Sequence, residues 1–455
     1  MTPATLAIVV AVASCSAHAP PLDRVAAWRD DLRVFATELP QRHKNAFFHA
    51  DETTWRRGVA DLDHQLEHLD DAHVIAGIMR LAAALGDGHT LARAPGRAAM
   101  YPLSLIWFAD GIFVRGAPDD AHWAVGAKLV AVGERPIAES IVAVTPLIAH
   151  DNDADLHAML PGFLVDPIVL VGADLVTGDR VTYHLVTRDG SARDLDLAAG
   201  LTMPPVAPPA VAKLPLHLQG PNTAYWNKDV DGLLYLAYNR CADDPRVGPF
   251  DKFAAVTLAY VDGHHIDRFV IDLRNNGGGN SRIIDPLLDG LASRPALAGR
   301  VFAIIGMHTF SSAVLNAMEL RRRVHATLVG GPTGGKPSHY GEVKTFELPH
   351  SKLLVQYSTK FFEYPDFPGD SVQPDLAVTV RAADWFEGRD PAIDAIVAAP
   401  PSAASARTCS RAADTGDTPR PCSGSPVSPS VECPLRRRSI GTSARSSWSS
   451  TPCAT

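Results

Sequence analysis

VFAIIGMHTFSSAVLNAMEL, residues 301–320, has the pattern of an apolar strand, a short turn and the start of a helix. Val301 to Ile305 are wholly apolar, as in a strand that is buried on both faces. Ser311 and Ser312 stand at the turn into the helix, where free backbone N–H groups can stabilise an oxyanion. The alternative is that the serines only cap the helix, since Ser is a favoured N-cap residue.

Two glycine-rich segments lie on either side of this stretch. VIDLRNNGGGN, residues 270–280, ends a strand and continues into Gly277 and Gly278, whose bare backbone can approach a substrate carbonyl. GGPTGGK, residues 330–336, follows another apolar strand and places Lys336 25 residues after Ser311. A desolvated lysine loses its proton more easily and can serve as a general base. Apolar strands that alternate with helical stretches predict a buried, mostly parallel α/β sheet.

The segments DLRNNGGG, TFSSA and GGPTGGK, closed by VQPDLAVTV at 372–380, resemble the C-terminal processing (tail-specific) protease family. The resemblance covers residues 230–380 and implies a crotonase-like (ClpP/crotonase-type) catalytic domain. It also implies a serine peptidase with Ser311 as its nucleophile and an oxyanion hole made by the backbone N–H groups of Ser312, Gly277 and Gly278. Protein or peptide substrates and no cofactor or metal follow from the same resemblance.

The general base has two candidates. Family members with a Ser/Lys dyad often carry Glu three residues after the nucleophile, and this chain has Val314 there. Another branch, which resembles the tricorn core proteases, delivers a His from the N-terminal side, and LGDGHTLA at 85–92 matches that context with His89. A histidine needs less perturbation than a lysine to accept a proton at neutral pH. Glu342 is a candidate to orient whichever base is used, or else a solvated strand residue.

The chain is expected to contain three folded regions. Apolar residues at three- and four-residue spacing predict an N-terminal helical cap at 21–100. Short runs such as GIFVRGA, PIVLVGA and RVTYHLVTRDG predict a β-rich module at 101–200. The segment at 124–139 resembles part of a PDZ module, which would capture a peptide as an added strand. A proline-rich connector at 203–215 leads into the catalytic region, assigned to 201–400.

The two ends of the chain differ from these regions. Residues 1–20 contain a short apolar run typical of an export signal, which predicts a periplasmic or cell-envelope protein. Cys15 lies in a small-residue pattern similar to a lipoprotein box, so membrane contact is expected only if Cys15 is lipidated. Residues 401–455 are rich in Ser, Pro, Thr and Arg and are expected to be disordered.

Composition excludes some classes of function. The formal net charge of −8 lacks the basic footprint of a nucleic-acid-binding protein. Of the six cysteines, Cys15 lies in the signal, Cys241 stands alone, and the rest lie in the tail, so a disulfide framework is not expected in the folded part.

The sequence also offers three alternatives to a peptidase. GGPTGGK has the spacing of a phosphate-binding loop, but Pro337 stands where a Ser or Thr should hold magnesium, and a strand pattern follows. His64 and His68 are spaced like metal ligands but lack the adjacent Glu of a metalloprotease. A catalytically inactive peptide- or lipid-binding protein on the same fold is the remaining alternative.

Overall fold

The computed structural model describes residues 23–94 and 99–400, so the expected signal at 1–20 and tail at 401–455 lie outside the described residues. The helices are α1 Arg24–Arg42, α2 Glu52–Gln65, α3 Asp71–Ala83, α4 Ile137–Val144, α5 Asp153–Phe163, α6 Pro167–Gly172, α7 Phe250–Gly263, α8 Asp285–Ala292, α9 Ser312–Val324, α10 Ala382–Phe386 and α11 Pro391–Ala398. The strands are β1 Leu91–Arg93, β2 Ser104–Phe108, β3 Gly111–Gly116, β4 Lys128–Val132, β5 Arg135–Pro136, β6 Arg180–Val186, β7 Ala192–Ala198, β8 Tyr225–Val230, β9 Leu233–Tyr238, β10 Arg268–Asp272, β11 Val301–Ile305, β12 Thr327–Gly330, β13 His339–Glu347, β14 Leu354–Phe362 and β15 Leu376–Ala377.

A six-stranded sheet in the second half of the chain has the order β15-β12-β11-β10-β9-β8. The strands from β9 to β12 pair in parallel, β15 joins them in the same direction, and β8 alone runs antiparallel. All residues of β9 and β11 are buried, as expected for a parallel sheet covered on both faces. The predicted buried, mostly parallel α/β sheet is therefore confirmed.

Helices α1, α2 and α3 form the predicted helical region at the N-terminal end. In α1 the buried residues Trp28, Leu32, Phe35 and Leu39 recur every three or four positions, so they share one face. The Asp51 and Asp70 side chains cap α2 and α3 by accepting backbone N–H groups of the first turn. Within the described ranges, no helix is long and apolar enough to cross a bilayer.

Residues 101–200 contain a sheet of order β2-β3-β4-β6-β7, with β5 paired to β4. Three helices, α4, α5 and α6, lie in the same stretch, and one of them contradicts a prediction. The sequence pattern predicts a strand at PIVLVGA, but Pro167–Gly172 is helical. The Asp166 side chain accepts the N–H groups of Ile168 and Val169, and Pro167 has the fixed φ suited to a first helical turn. These local start signals outweigh the β-branched composition.

The antiparallel hairpin of β13 and β14 packs with the N-terminal half, although in sequence it lies between β12 and β15 of the central sheet. Strand β14 pairs with β1, and residues of the hairpin such as Leu348 and Val355 share one hydrophobic core with the helical cap and the 101–200 region. The buried Asp31 carboxylate of α1 accepts the N–H groups of His350 at 2.8 Å and Ser351 at 2.7 Å, in the hairpin turn. The cap and the hairpin are therefore one structural unit.

Replacing Asp31 with Asn is expected to destabilise the protein by about 2 kcal/mol, because the amide cannot accept both N–H groups and leaves one buried donor unpaired. The measurement is urea unfolding of the Asp31→Asn variant and the wild type. Asp30→Asn is the matched control, since Asp30 lies on the same helix and makes an exposed contact with Arg33 and a partly buried one with His350. Equal stability of Asp31→Asn and the wild type would contradict the assigned role.

Candidate active site

The three segments singled out in the sequence meet at one edge of the central sheet. Asp272 at the end of β10 pairs with Ile304, and Ile305 at the end of β11 pairs with Gly330 at the end of β12. Parallel strands place their carboxyl ends at the same edge, so the glycine loop, the serine turn and the loop to Lys336 follow three adjacent strands. This edge is where open α/β sheets place their ligands.

Ser311 has a backbone conformation that ordinary residues avoid. Its φ is 51° and its ψ is −127°, and it immediately precedes α9 without making a side-chain capping hydrogen bond. A non-glycine residue in such a region costs on the order of 1–3 kcal/mol and persists only where the surroundings enforce it. Ser311 is partly exposed and its hydroxyl has no hydrogen-bond partner among the described residues, so the alternative of a simple helix cap does not describe it.

The glycine loop touches the serine directly. A Cβ atom at Gly278 would lie 2.8 Å from the Cβ of Ser311, so only glycine fits at this position. The Gly278 N–H donates to the Asn276 side chain at 2.9 Å and is therefore already engaged. Within the described residues, the N–H groups of Gly277 and Ser312 donate to no other group. Two of the three predicted oxyanion donors are thus free.

Asn276 holds the glycine loop in place, although it was not among the site residues predicted from the sequence. The residue is fully buried, and its side-chain amide donates to the Tyr238 carbonyl at 2.7 Å. The backbone carbonyl of Asn276 accepts the Phe310 N–H at 3.0 Å. The Ser312 hydroxyl donates to the Gly279 carbonyl at 2.6 Å. The loop and the turn before α9 are therefore joined at two points. Only the position of Asn276 before three glycines hinted at this role.

His89 lies against the residue that precedes Ser311. Its ring stacks on Phe310 with centroids 4.5 Å apart and on His339 with centroids 5.4 Å apart. The residue is 7% exposed, and neither ring nitrogen has a hydrogen-bond partner among the described residues. Burial lowers the pKa of His89 from its ordinary value, which favours the neutral ring with a free lone pair.

Asp87 fixes the loop that carries His89. Its carboxylate accepts hydrogen bonds from His43 Nε2 at 2.9 Å, from the Thr90 hydroxyl at 2.6 Å and from the Ser358 hydroxyl at 2.7 Å. It also accepts the His89 N–H at 3.0 Å. These donors come from the cap, the loop itself and strand β14. The loop that carries His89 is therefore held in part by strand β14 of the hairpin, which follows the serine and glycine motifs in sequence.

Asp151 connects the two loops that carry the candidate bases. Its carboxylate accepts the Gly88 N–H at 2.9 Å and the Lys336 N–H at 3.3 Å. A Cβ at Gly88 would lie 2.8 Å from Asp151 Oδ1, so the loop needs glycine there. The Asp151 N–H in turn donates to the buried carboxyl of Asp155, whose pKa burial raises to about 8. No sequence signal linked Asp151 to the motifs.

Lys336 and Glu342 are placed differently from His89. The ammonium of Lys336 lies 3.9 Å from Asp370 Oδ1, and its side chain is 29% exposed. Neither Lys336 nor His89 hydrogen-bonds the Ser311 hydroxyl within the described residues. Glu342 is exposed and 3.8 Å from Lys360 Nζ, with no contact to either candidate base, so the solvated strand residue is the description that fits.

A large apolar cavity of about 610 Å³ opens beside the serine turn. It lies between α3, β2 and α5, and it reaches the turn through Met307 and His308, two and three positions after the end of β11. Its lining includes Met79, Arg115, Trp107, Phe163, Met307 and His308. Cavities of this size and composition bind apolar side chains or other apolar ligands.

The described residues form a mixed α/β fold with a serine turn at one edge of its parallel sheet, and comparison with solved structures specifies the fold further. Mature CPAF matches with a TM-score of 0.56 and 13% identity over 80% of this chain and 95% of CPAF. Mature CPAF complexed with lactacystin matches with a TM-score of 0.57 and 12% identity over the same shares. The photosystem II D1 C-terminal processing protease covers 80% of this chain at 14% identity, but its TM-score of 0.37 is too low to support the fold.

These neighbours belong to the C-terminal processing protease family, so the resemblance seen in the motifs is confirmed at the level of the fold. No protein-family model and no curated protein matches the sequence.

The strain at residue 311 predicts an unusual order of stabilities. Ser311→Gly is expected to be more stable than Ser311→Ala by about 1 kcal/mol, because glycine adopts a positive φ without strain. At Ser312, the first residue of α9, Ser312→Ala should instead be more stable than Ser312→Gly, because glycine has a lower helix propensity than alanine. Urea unfolding of the four variants measures both differences. A Ser311→Ala variant at least as stable as Ser311→Gly would contradict the strain.

Asp155 predicts a pH-dependent stability. Its carboxyl holds a proton more tightly in the folded state than in the unfolded state, so the folded protein should lose stability as the pH rises from about 4 to about 8. Asp155→Asn cannot ionise, so its stability advantage over the wild type should grow across this range. Unfolding with urea at several pH values measures the gap. Asp153→Asn, at an exposed position on the same helix, is the control and should show no stability gap that grows with pH.

Proposed function

We propose that this protein is a serine peptidase that hydrolyses peptide bonds through an acyl-enzyme on Ser311. The observation that carries the proposal is the buried His89 ring, which stacks on Phe310 beside the nucleophile and keeps both nitrogens free of protein partners. A buried imidazole without a partner needs an explanation, and accepting the Ser311 proton supplies one. Catalytic hydrogen bonds often close only when substrate binds, so the missing contact in the free protein is compatible with this role.

In the proposed mechanism His89 takes the proton from the Ser311 hydroxyl as its oxygen attacks the substrate carbonyl. The N–H groups of Gly277 and Ser312 stabilise the oxyanion, and the dipole of α9 adds to this effect because Ser312 begins the helix. His89 then protonates the leaving amine, and the carbon–nitrogen bond breaks. A water that loses its proton to His89 hydrolyses the ester and restores the serine. The Asp87 and Asp151 carboxylates stabilise the transient imidazolium.

Lys336 is assigned to positioning. Its ammonium is directed at Asp370, and its backbone N–H is bound by Asp151, so it holds the loop beside Ser311 in place. No hydrogen bond joins its ammonium to Ser311 among the described residues, and the nearest carboxylate to that ammonium is Asp370. Between the two candidates that the sequence left open, the contacts therefore favour His89 as the base.

The same proposal includes a crotonase-like catalytic core and a PDZ-like module at 101–200. Strand β2 is at the edge of its sheet, which supports capture of a peptide as an added strand. The apolar cavity beside β2 supports recognition of apolar substrate residues. Processing of protein C-termini in the cell envelope follows from the family resemblance, and the export signal expected at 1–20 is compatible with it.

A catalytically inactive binding protein on this fold is the second candidate, and the cavity of about 610 Å³ favours it. Such a protein needs a shaped cavity but no activated hydroxyl. Reactivity of Ser311 therefore separates the two candidates.

A fluorophosphonate probe is expected to label the wild type at Ser311 and to fail on Ser311→Ala, because only an activated hydroxyl reacts.

His89→Gln should lower the rate of peptide hydrolysis by about 10²- to 10⁴-fold, the usual contribution of a general base, and Lys336→Met by much less. Lactacystin, which is bound to CPAF in one structural neighbour, should compete with the probe.

Ser293→Ala, at an exposed serine, is the control for labelling and rate. A wild type that resists the probe and hydrolyses no peptide would favour the binding protein. A larger loss in Lys336→Met than in His89→Gln would make Lys336 the base.

A further inference from the structure

Three buried side chains converge beside the serine turn in a way that the peptidase mechanism does not fully use. One potential ligand atom from each of Asp87, His89 and Asp151 lies within 4.8 Å of the other two. The residues are 2%, 7% and 8% exposed. Both nitrogens of the His89 ring are buried and have no hydrogen-bond partner in the described ranges. Buried polar atoms are nearly always satisfied, so this ring lacks a partner that it is placed to bind.

The cluster also contains a negative charge without a nearby cation. Asp87 has the buried His43 at 2.9 Å, but Asp151 forms no ion pair with a side chain in the described part of the protein. Lys336 hydrogen-bonds Asp151 only through its backbone N–H. Its ammonium is directed at Asp370. Burying a carboxylate without a counter-charge is costly, and a bound cation offsets that cost.

We propose that Asp87, His89 and Asp151 form a binding site for one divalent transition-metal ion of the zinc type. One imidazole nitrogen and two carboxylate oxygens are ligands that Zn²⁺ accepts, and three protein ligands leave a fourth position for water. Mg²⁺ and Ca²⁺ prefer sites made mainly of oxygen ligands, so the imidazole disfavours them. His64 and His68, the pair with metal-like spacing in the sequence, are exposed and serve as the rival site.

The consequence for the enzyme is reversible inhibition, and this part rests on the proposed function. A neutral imidazole has one lone pair. If the metal takes it, the other nitrogen carries the proton and cannot accept one from Ser311, whichever nitrogen binds. The metal is thus a regulator that must leave before catalysis, and a chelator should preserve or raise activity.

The test of binding uses the full-length Ser311→Ala protein, which keeps the site and lacks the nucleophile. After dialysis against a chelator and its removal, the protein is titrated with Zn²⁺ by calorimetry and with Co²⁺ by visible absorption. We expect one equivalent of tight binding, the intense absorption of four-coordinate Co²⁺, and a rise in melting temperature with Zn²⁺ because the metal binds the folded state. His89→Ala in this background should abolish the absorption, and Asp151→Asn should weaken binding by at least about 10- to 100-fold, the loss that removing an outer-shell partner alone causes.

His64→Ala is the matched control and should bind like its parent. Loss of binding in His64→Ala with retention in His89→Ala would overturn the proposal, as would failure of the parent to bind either metal. Circular dichroism checks that the buried-site variants fold. If His89→Ala does not fold, the conservative Asp151→Asn variant and the melting shift of the parent decide.

The regulatory part is tested separately in the wild type. Zn²⁺ should stop peptide hydrolysis, and a chelator should restore it. Hydrolysis that continues with Zn²⁺ bound would overturn the inhibition and leave the peptidase proposal intact. A protein that binds metal through His89 but hydrolyses no peptide would support the metal site and refute the peptidase.

Discussion

Strands β10, β11 and β12 are hydrogen-bonded in parallel with consecutive registers, so the three loops that follow them leave the sheet side by side. Everything at the candidate site depends on this constraint. The buried strands are held by two apolar clusters, and the loops inherit their spacing from the strands. Because the spacing is fixed, glycine at 278 can touch Ser311, and the serine can be kept in a conformation that an isolated chain would avoid.

The histidine reaches this edge by another route. His89 lies before all of the central strands in sequence, and its loop is held by Asp87 on one side and Asp151 on the other. The donors to these carboxylates include backbone N–H groups as well as side chains, so the carboxylates fix the path of the chain and not only the rotamers. The same carboxylates create the negative field around the ring. Positioning and electrostatics therefore come from one pair of residues.

Much of this arrangement was predictable from local patterns. Apolar strand runs gave the parallel sheet, and glycine runs next to strand ends gave the loops that meet at its edge, because both signals lie within short windows of sequence. The strand at PIVLVGA was wrong because Asp166 and Pro167 start a helix there. The loss of Gly278 as a free donor depends on the Asn276 rotamer, which sequence spacing does not encode.

Contacts between distant segments were out of reach. Asp151 bonds to groups 63 and 185 residues away, and the hairpin turn bonds to Asp31 across 319 residues. Neither motif spacing nor periodicity carries information at that range. The choice between His89 and Lys336 depended on such contacts, since the two residues differ mainly in what surrounds them in space.

The contact between Gly278 and Ser311 has a consequence for comparing proteins of this fold. Any side chain at position 278 would need the space that the Ser311 Cβ atom occupies, so a chain of this fold with a larger residue there would have to move its serine turn away from the glycine loop.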